Sequence, residues 1–497
     1  MKVNKIHSVK YNFIMNFVLS ASSFLFPLVT FPYISRILGA EGNGTISFYS
    51  SIANYFLLVA SLGIPTYGIR ACARVRDDAE ELAKTTKEIL VINEVMTTLV
   101  IITYILAYLC VKRLQMEPEL YFINGISIGL NLFGMTWFFQ ALEQYDYITF
   151  RSLLLKVICV VLMFIFVHDP ADYKIQAAIT IFASCGLNLL NYHRAKKYVR
   201  LNHKLRELNC YRHLKPILIL FAQNLAVSIY TNLDTVMLGF LRNNTEVGYY
   251  NAAIKLKNIL LSLVSSLGQV LLPRMSYFVQ NNKMQEFLQT MKKSLNFTLA
   301  ISIPLTIFFV IYSFEAMMFL AGDGYVLAVS AMMVITVAII PNGLTGILGT
   351  QVLTSIEREK YVLYSVIVGA VTDFILNLFF IPILGATGAA LATVICEFAV
   401  LFMQIYFCRD LLAKIIRYLK PFSYIIFTLV ATLAVMPIKL YRIKSYFLCL
   451  FFSAVIFFGA YILCLLISKD ELAMQMLSEM RLLMINRKKK NKYNSQN

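Results

Sequence analysis

The stretch "YTNLDTVMLGFLRNNTEVGYYNAAIKLK", residues 230–257, carries the reading of the whole chain. An apolar run ends at Leu241, a short polar segment from Arg242 to Glu246 follows, and a second apolar run starts near Tyr249. Two apolar runs of helical length joined by a few polar residues describe a membrane hairpin, because only a helix or a closed barrel satisfies its own backbone hydrogen bonds in lipid. Asp234 lies inside the first run, and Lys255 and Lys257 inside the second.

Working outward, the rest of the chain has the same character. Of its 497 residues, 59% are hydrophobic and 14% charged, with a mean hydropathy of +0.69, which excludes a soluble globular protein. The expected class is an all-α integral membrane protein with about fourteen transmembrane helices, over 11–35, 44–65, 88–111, 118–142, 152–167, 175–191, 216–240, 249–273, 294–313, 326–351, 361–381, 387–408, 421–437 and 446–468. The apolar run after "MKVNKIHSVK" continues past "SASS" with no clean cleavage site, so it reads as the first span and not as a secretory signal.

With both termini placed in the cytoplasm, the inner segments hold 35 lysines and arginines and the outer segments 8. That asymmetry fits the positive-inside rule and accounts for the net charge of +18 without any nucleic-acid partner. The tail "NRKKKNKYNSQN" reads as a basic segment near anionic lipid. The nine cysteines contain no C-x-x-C pair and the five histidines no H-x-x-x-H pattern, so no metal site or disulfide framework is expected.

The segment "SRILGAEGNGTISFYSSI" (35–52) is matched by "TVMLGFLRNNTEVGYYNAAI" (235–254), each running from a span end through Leu-Gly, a polar loop, a glycine and an aromatic pair. Both start on the same side of the membrane, so a repeat of this kind is parallel. It divides the chain into two pseudo-symmetric six-helix lobes, 1–191 and 216–408, joined by a basic linker, 192–215. Two appended helices occupy 409–468 and a basic tail 469–497.

Ionisable side chains within spans mark functional sites by default. At a rise of 1.5 Å per residue, Asp234 lies about 10 Å from its helix end, and Lys255 and Lys257 lie about 9 and 12 Å along the next helix. The two lysines are two positions apart and point to different faces. They either form a cationic lining able to attract a phosphate, with Asp234 and Arg36 beside them, or make a buried ion pair that fixes helix packing. Asp373, Glu397 and Glu94 are buried carboxylates on this reading, and each is a candidate for carrying a coupling proton. Asp373 and Asn377, four residues apart, share a helix face. No pair of carboxylates sits on an aqueous loop and no glycine-rich phosphate loop occurs, so enzyme chemistry has no evident seat.

Four stretches, "PYISRILGAEGNG" (32–44), "WFFQALEQYDYI" (137–148), "TNLDTVMLG" (231–239) and "QVLTSIEREKYVLYSVIVGAVTDFILNLFFIPILGATGAALATVICE" (351–397), resemble a known family. It is that of the lipid-linked oligosaccharide flippases of the multidrug/oligosaccharidyl-lipid/polysaccharide exporter superfamily, which act in O-antigen and capsule assembly. The resemblance implies two lobes around a central cavity and transport of a sugar chain on undecaprenyl pyrophosphate to the outer leaflet of a bacterial cell membrane. It also implies a proton or sodium gradient as driving force, with no bound cofactor. The lipid-linked oligosaccharide and membrane lipids are the implied partners, and other polysaccharide-assembly proteins are candidates. Arg36, Asp234, Lys255 and Lys257 then supply the substrate site. Asp373 stands where an asparagine or small residue is commoner in the family.

Two other classes compete. A multidrug or cation antiporter of the same superfamily needs a carboxylate-rich cavity, whereas the surplus near the seventh and eighth spans is cationic. A polysaccharide polymerase or glycosyltransferase needs a long outer loop, and the outer loops here are short.

Overall fold

The structure is a computed structural model and describes residues 9–199, 207–265, 268–440, 443–471 and 473–474. The middle of the basic linker and most of the basic tail lie outside the described residues. Every described element is a helix or a turn, with no strand among the described residues. Among the described residues, eleven helical stretches are long and apolar enough to cross a membrane. The first of these, Phe26–Arg74, holds the end of the first expected span and all of the second, because the helix resumes at once after its bend. The expected spans over 216–240 and 249–273 are not among the eleven, although helices occupy both stretches.

The chain divides into two compact units. The first comprises residues 1–252, 320–328 and 373–389. Helix α1, Val9–Ser61, bends at Gly39, whose φ of 64° and ψ of −174° lie where a side chain would be strained. Leu62 and Gly63, both at positive φ, turn the chain into α2, Ile64–Arg74. Helix α3, Ala79–Cys110, opens on Asp78, whose carboxylate accepts from the backbone N–H groups of Glu80 and Glu81. Two acids in that first turn also complement the helix dipole.

After α4 (Pro118–Leu130), α5 (Thr136–Ala141), α6 (Tyr145–Phe166), α7 (Tyr173–Cys185) and α8 (Asn188–Ala195), the unit continues through α9, Tyr211–Leu241. Its start is pinned to α3 by Glu88, which is 0% exposed. That carboxylate accepts from Asn209 N at 2.7 Å and Arg212 Nε at 2.9 Å, and lies 2.7 Å from His213 Nε2. Helix α10, Asn244–Ser265, begins in this unit and ends in the other.

The second unit comprises 253–319, 329–372 and 390–497. Helices α11 (Gly268–Gln280), α12 (Met284–Ile311), α13 (Ser313–Ala321), α14 (Ala328–Thr336) and α15 (Ile339–Thr345) run into a π-helical turn, Gly346–Leu353. Helices α16, Glu359–Leu384, and α17, Ala386–Phe407, begin and end here but meet in the first unit. A short α18, Arg409–Ile415, leads to the hairpin α19, Pro421–Leu440, and α20, Tyr446–Ile467.

That hairpin packs on α12 through Phe308, Tyr312, Val435 and Phe457. The Tyr461 hydroxyl donates to the Ala300 carbonyl at 2.8 Å. Large apolar side chains such as Phe150, Ile383, Phe422, Leu433 and Ile467 stay exposed, as a lipid-facing surface requires.

Candidate functional site

Asp234 in α9 is 3% exposed and accepts two hydrogen bonds from other helices. The Tyr250 hydroxyl of α10 donates to Oδ2, and Asn377 Nδ2 of α16 donates to Oδ1 at 2.6 Å. The same Asn377 nitrogen donates to Asp373 Oδ2 at 3.0 Å, one turn earlier in α16. An amide NH₂ has two hydrogens, so one side chain serves both acids. Asn377 is 0% and Asp373 1% exposed. Two carboxylates from different helices thus converge on one amide at a buried position, all within the first unit. Carboxylate and amide oxygens gathered in this way are hard donors of the kind that can meet a small cation.

The approach of α9 and α16 is supported at the turn between α9 and α10. Glu246, in the first turn of α10, accepts from the backbone N–H of Ala386 at 2.6 Å, where Gly385 turns α16 into α17. Arg242 Nε donates to the Ile381 carbonyl at 3.1 Å. The polar residues between the apolar runs therefore tie the turn between α9 and α10 to the turn between α16 and α17, within the first unit.

The two matched segments, 35–52 and 235–254, pack directly on each other. A Cβ on Gly44 would fall on the Asn244 carbonyl, and one on Gly248 on the Ala40 carbonyl. Gly239 is covered by the Phe48 ring. Arg113 locks this seam, donating from Nε to the Gly239 carbonyl at 3.0 Å and from Nη2 to Asn244 Oδ1 at 2.6 Å. Asn244 Nδ2 in turn donates to Thr45 Oγ1 at 2.9 Å. The Tyr325 hydroxyl donates to the Gly39 carbonyl and accepts from Asn43 Nδ2, each at 2.9 Å.

The other expected site residues are distributed differently. Arg36 is exposed, donates from Nη1 to the Pro32 carbonyl at 2.7 Å and lays its stem against Gly322. Lys255 and Lys257 belong to the second unit; Lys255 is exposed and Lys257 is 8% exposed, in keeping with opposite faces of α10. Glu397, also in the second unit, is buried.

Glu94 departs from expectation. Its side chain is exposed on α3 instead of buried, because its position falls on the outward side of that helix while Asn93 and Thr97 turn inward. Tyr250 was visible in the sequence only as one member of an aromatic pair. The position of the Asp234 donor could be inferred only once α9, α10 and α16 were seen together.

Comparison with known proteins fits this arrangement. Residues 9–279, more than half of the chain, match the family model described as polysaccharide biosynthesis protein. The chain belongs to this family. A second model, MatE, matches residues 220–379.

A proposed O-antigen transporter of Escherichia coli (strain K12) is 24% identical over 416 residues, covering 82% of this chain and 99% of that one. The fold is similar to that of lipid II flippase MurJ in an inward closed conformation, with a TM-score of 0.72 at 14% identity over 92% of this chain and 99% of that chain. It is also similar to an inward-facing multidrug resistance MATE family transporter, with a TM-score of 0.57 at 13% identity over 79% and 95%. The chain is a multi-pass membrane protein of the multidrug/oligosaccharidyl-lipid/polysaccharide exporter superfamily, a group of transporters and not of enzymes.

Proposed function

We propose that this protein moves oligosaccharide units linked to undecaprenyl pyrophosphate from the cytoplasmic to the outer leaflet of a bacterial cell membrane. It does so by alternating access between two six-helix lobes, 1–191 and 216–408, with both termini in the cytoplasm. A diphosphate cannot cross lipid unshielded, so Arg36, Lys255 and Lys257 are assigned to the polar lining that meets it. Asp234 and Asp373 are assigned to coupling, through uptake and release of a proton or a sodium ion. Glu397 is held as a second coupling group.

The observation that carries the reading is the buried pair of carboxylates sharing Asn377, in a chain of the polysaccharide biosynthesis family. Carboxylates are costly in an apolar bundle and persist where they have work to do.

The test is translocation of a fluorescent glycan on a polyprenyl diphosphate by the purified protein in sealed vesicles. The wild type moves it faster than empty vesicles do, and the rate responds to a pH or sodium gradient. Asp373→Asn flattens that response. A wild-type rate equal to the empty-vesicle background would sink the flippase reading, whereas an unchanged gradient response in the variant would sink the coupling assignment alone.

The MatE match spans both Asp234 and Asp373, which favours cation antiport as the second reading. Extrusion of a cationic dye from the same vesicles, without glycan movement, would establish it instead.

A further inference from the structure

A second concentration of charge lies away from the Asp234 cluster, where α2 and the start of α9 run side by side within the first unit. Between them is a groove of about 380 Å³, lined on α2 by Tyr67, Arg70 and Arg74 and on α9 by Arg212, Pro216 and Ile219. The α2 residues recur at spacings of three and four, as do those of α9, so each helix presents one face to the groove.

The register is set at two points. At Gly63 a Cβ would lie 2.8 Å from Phe221 N and 3.1 Å from the Ile217 carbonyl, so backbone meets backbone there. One turn on, the Tyr67 hydroxyl lies 2.7 Å from His213 Nδ1. The helices are therefore antiparallel along the groove, with an apolar end near Ile219 and a cationic end near Arg70, Arg74 and Arg212.

The three arginines are not equivalent. Arg212 is held by Glu81 at 2.8 Å and Glu88 at 2.7 Å, which fixes its guanidinium and neutralises it. Arg70 and Arg74 are exposed, one turn apart, and neither pairs with an acid among the described residues. Two unneutralised planar forks a helical turn apart, beside an apolar wall, match an amphiphile with two adjacent phosphoryl groups. A phosphodiester headgroup, with one negative charge, would balance only one of them. The segments 66–87 and 192–215 are both on the side that the charge asymmetry assigns to the cytoplasm.

We infer that the α2–α9 groove is a docking site for the diphosphate end of a polyprenyl-linked substrate at the cytoplasmic leaflet, with Arg70 and Arg74 as its phosphate ligands and the Pro216–Ile219 wall against the first isoprene units. This rests on the flippase reading and adds a site remote from Asp234 at which the substrate is captured before it is moved.

Binding can be followed through Trp137, the chain's one tryptophan, whose indole packs on Gly68 on the back of α2. The full chain in nanodiscs of neutral lipid is titrated with farnesyl diphosphate, with phosphatidylglycerol and with inorganic pyrophosphate. Farnesyl diphosphate shifts the Trp137 emission saturably, and the R70Q/R74Q double variant binds it about tenfold or more weakly. The R70K/R74K variant keeps the charge, loses the forks and falls between the two, which also guards against a folding defect in the glutamine variant.

Equal affinity in wild type and both variants would overturn the groove while leaving the flippase reading intact. Displacement by phosphatidylglycerol at equal concentration would make this a general lipid contact and overturn the substrate assignment. If farnesyl diphosphate binds nowhere on the wild type while glycan translocation still proceeds, the inference fails and the function stands.

Discussion

The two ends of one span behave differently. Where α1, just past its bend, meets the first turns of α10, backbone touches backbone at Gly44 and Gly248; where α2 meets the start of α9, arginines line a groove. From Gly44 to Ser61 is about 26 Å of helix, so the seam and the groove sit at opposite ends of a span. Contact between backbones is close to all-or-none, since neither partner can swing aside. Contact through long side chains is graded, because each can find a new rotamer. A transporter that opens at one end at a time needs at least one end of the first kind.

The largest effect is expected at the seam. Gly248→Ala places a methyl group on the Ala40 carbonyl, and backbone cannot yield as a flexible side chain can. Forcing the two segments apart costs about 3 kcal/mol of the closed arrangement. Transport falls, and a cysteine introduced at Asn43, in a background lacking the exposed Cys110, gains reactivity toward a membrane-impermeant thiol reagent. Gly459→Ala serves as the control, since a Cβ there meets nothing within 4 Å. If Gly248→Ala labels and transports like that control, the seam is not a closure and the contrast with the groove disappears.

At the groove end the corresponding variant is Glu88→Gln, which removes the charge that holds Arg212. Burial holds the neighbouring His213 imidazole below its usual range despite the pull of that carboxylate. Breaking a buried ion pair is expensive, but Arg212 is more than a third exposed, so a loss of about 2 kcal/mol is expected. Thermal unfolding in detergent measures it. An unchanged melting temperature would show that the start of α9 is held by packing alone and that the groove is no more graded than the seam.

Much of this was legible in the sequence. Apolar length and charge asymmetry are one-dimensional properties, so membrane class, helical architecture and the isolation of Asp234 and Asp373 could be read directly. The spacing of Asp373 and Asn377 placed them on one face of α16, as observed. What could not be read was convergence between distant segments. Nothing in the order of residues brings Asn377 to Asp234, 143 positions away, or makes Tyr250 its donor.

The pairing of 35–52 with 235–254 was visible as similarity, yet not as contact. Gly39 and Gly239 correspond in the pattern, but one bends its helix and the other continues it beneath a phenyl ring. Glu94 shows the reverse failure: burial of a carboxylate was inferred from an apolar span, and which side of the helix faces outward is set by neighbours that the span does not contain. His213 lacked a motif because its partners, Tyr67 and Glu88, come from two other helices.

The smallest expected effect separates the two kinds of contact within the seam itself. Gly239→Ala meets the edge of the Phe48 ring and not a backbone atom, so the ring can turn away at a cost of about 1 kcal/mol. Turning it disturbs the Arg113 guanidinium, which lies 5.3 Å from the Phe48 centroid and also donates to the Gly239 carbonyl. Phe48→Leu makes room for the methyl group, so the double variant is more stable than the sum of the single changes requires. A double-mutant cycle on thermal unfolding is expected to give a favourable coupling of about 0.5 kcal/mol or more. Strict additivity would mean that Phe48 does not bear on Gly239, and the backbone of α9 would then have to move here as it must at Gly248.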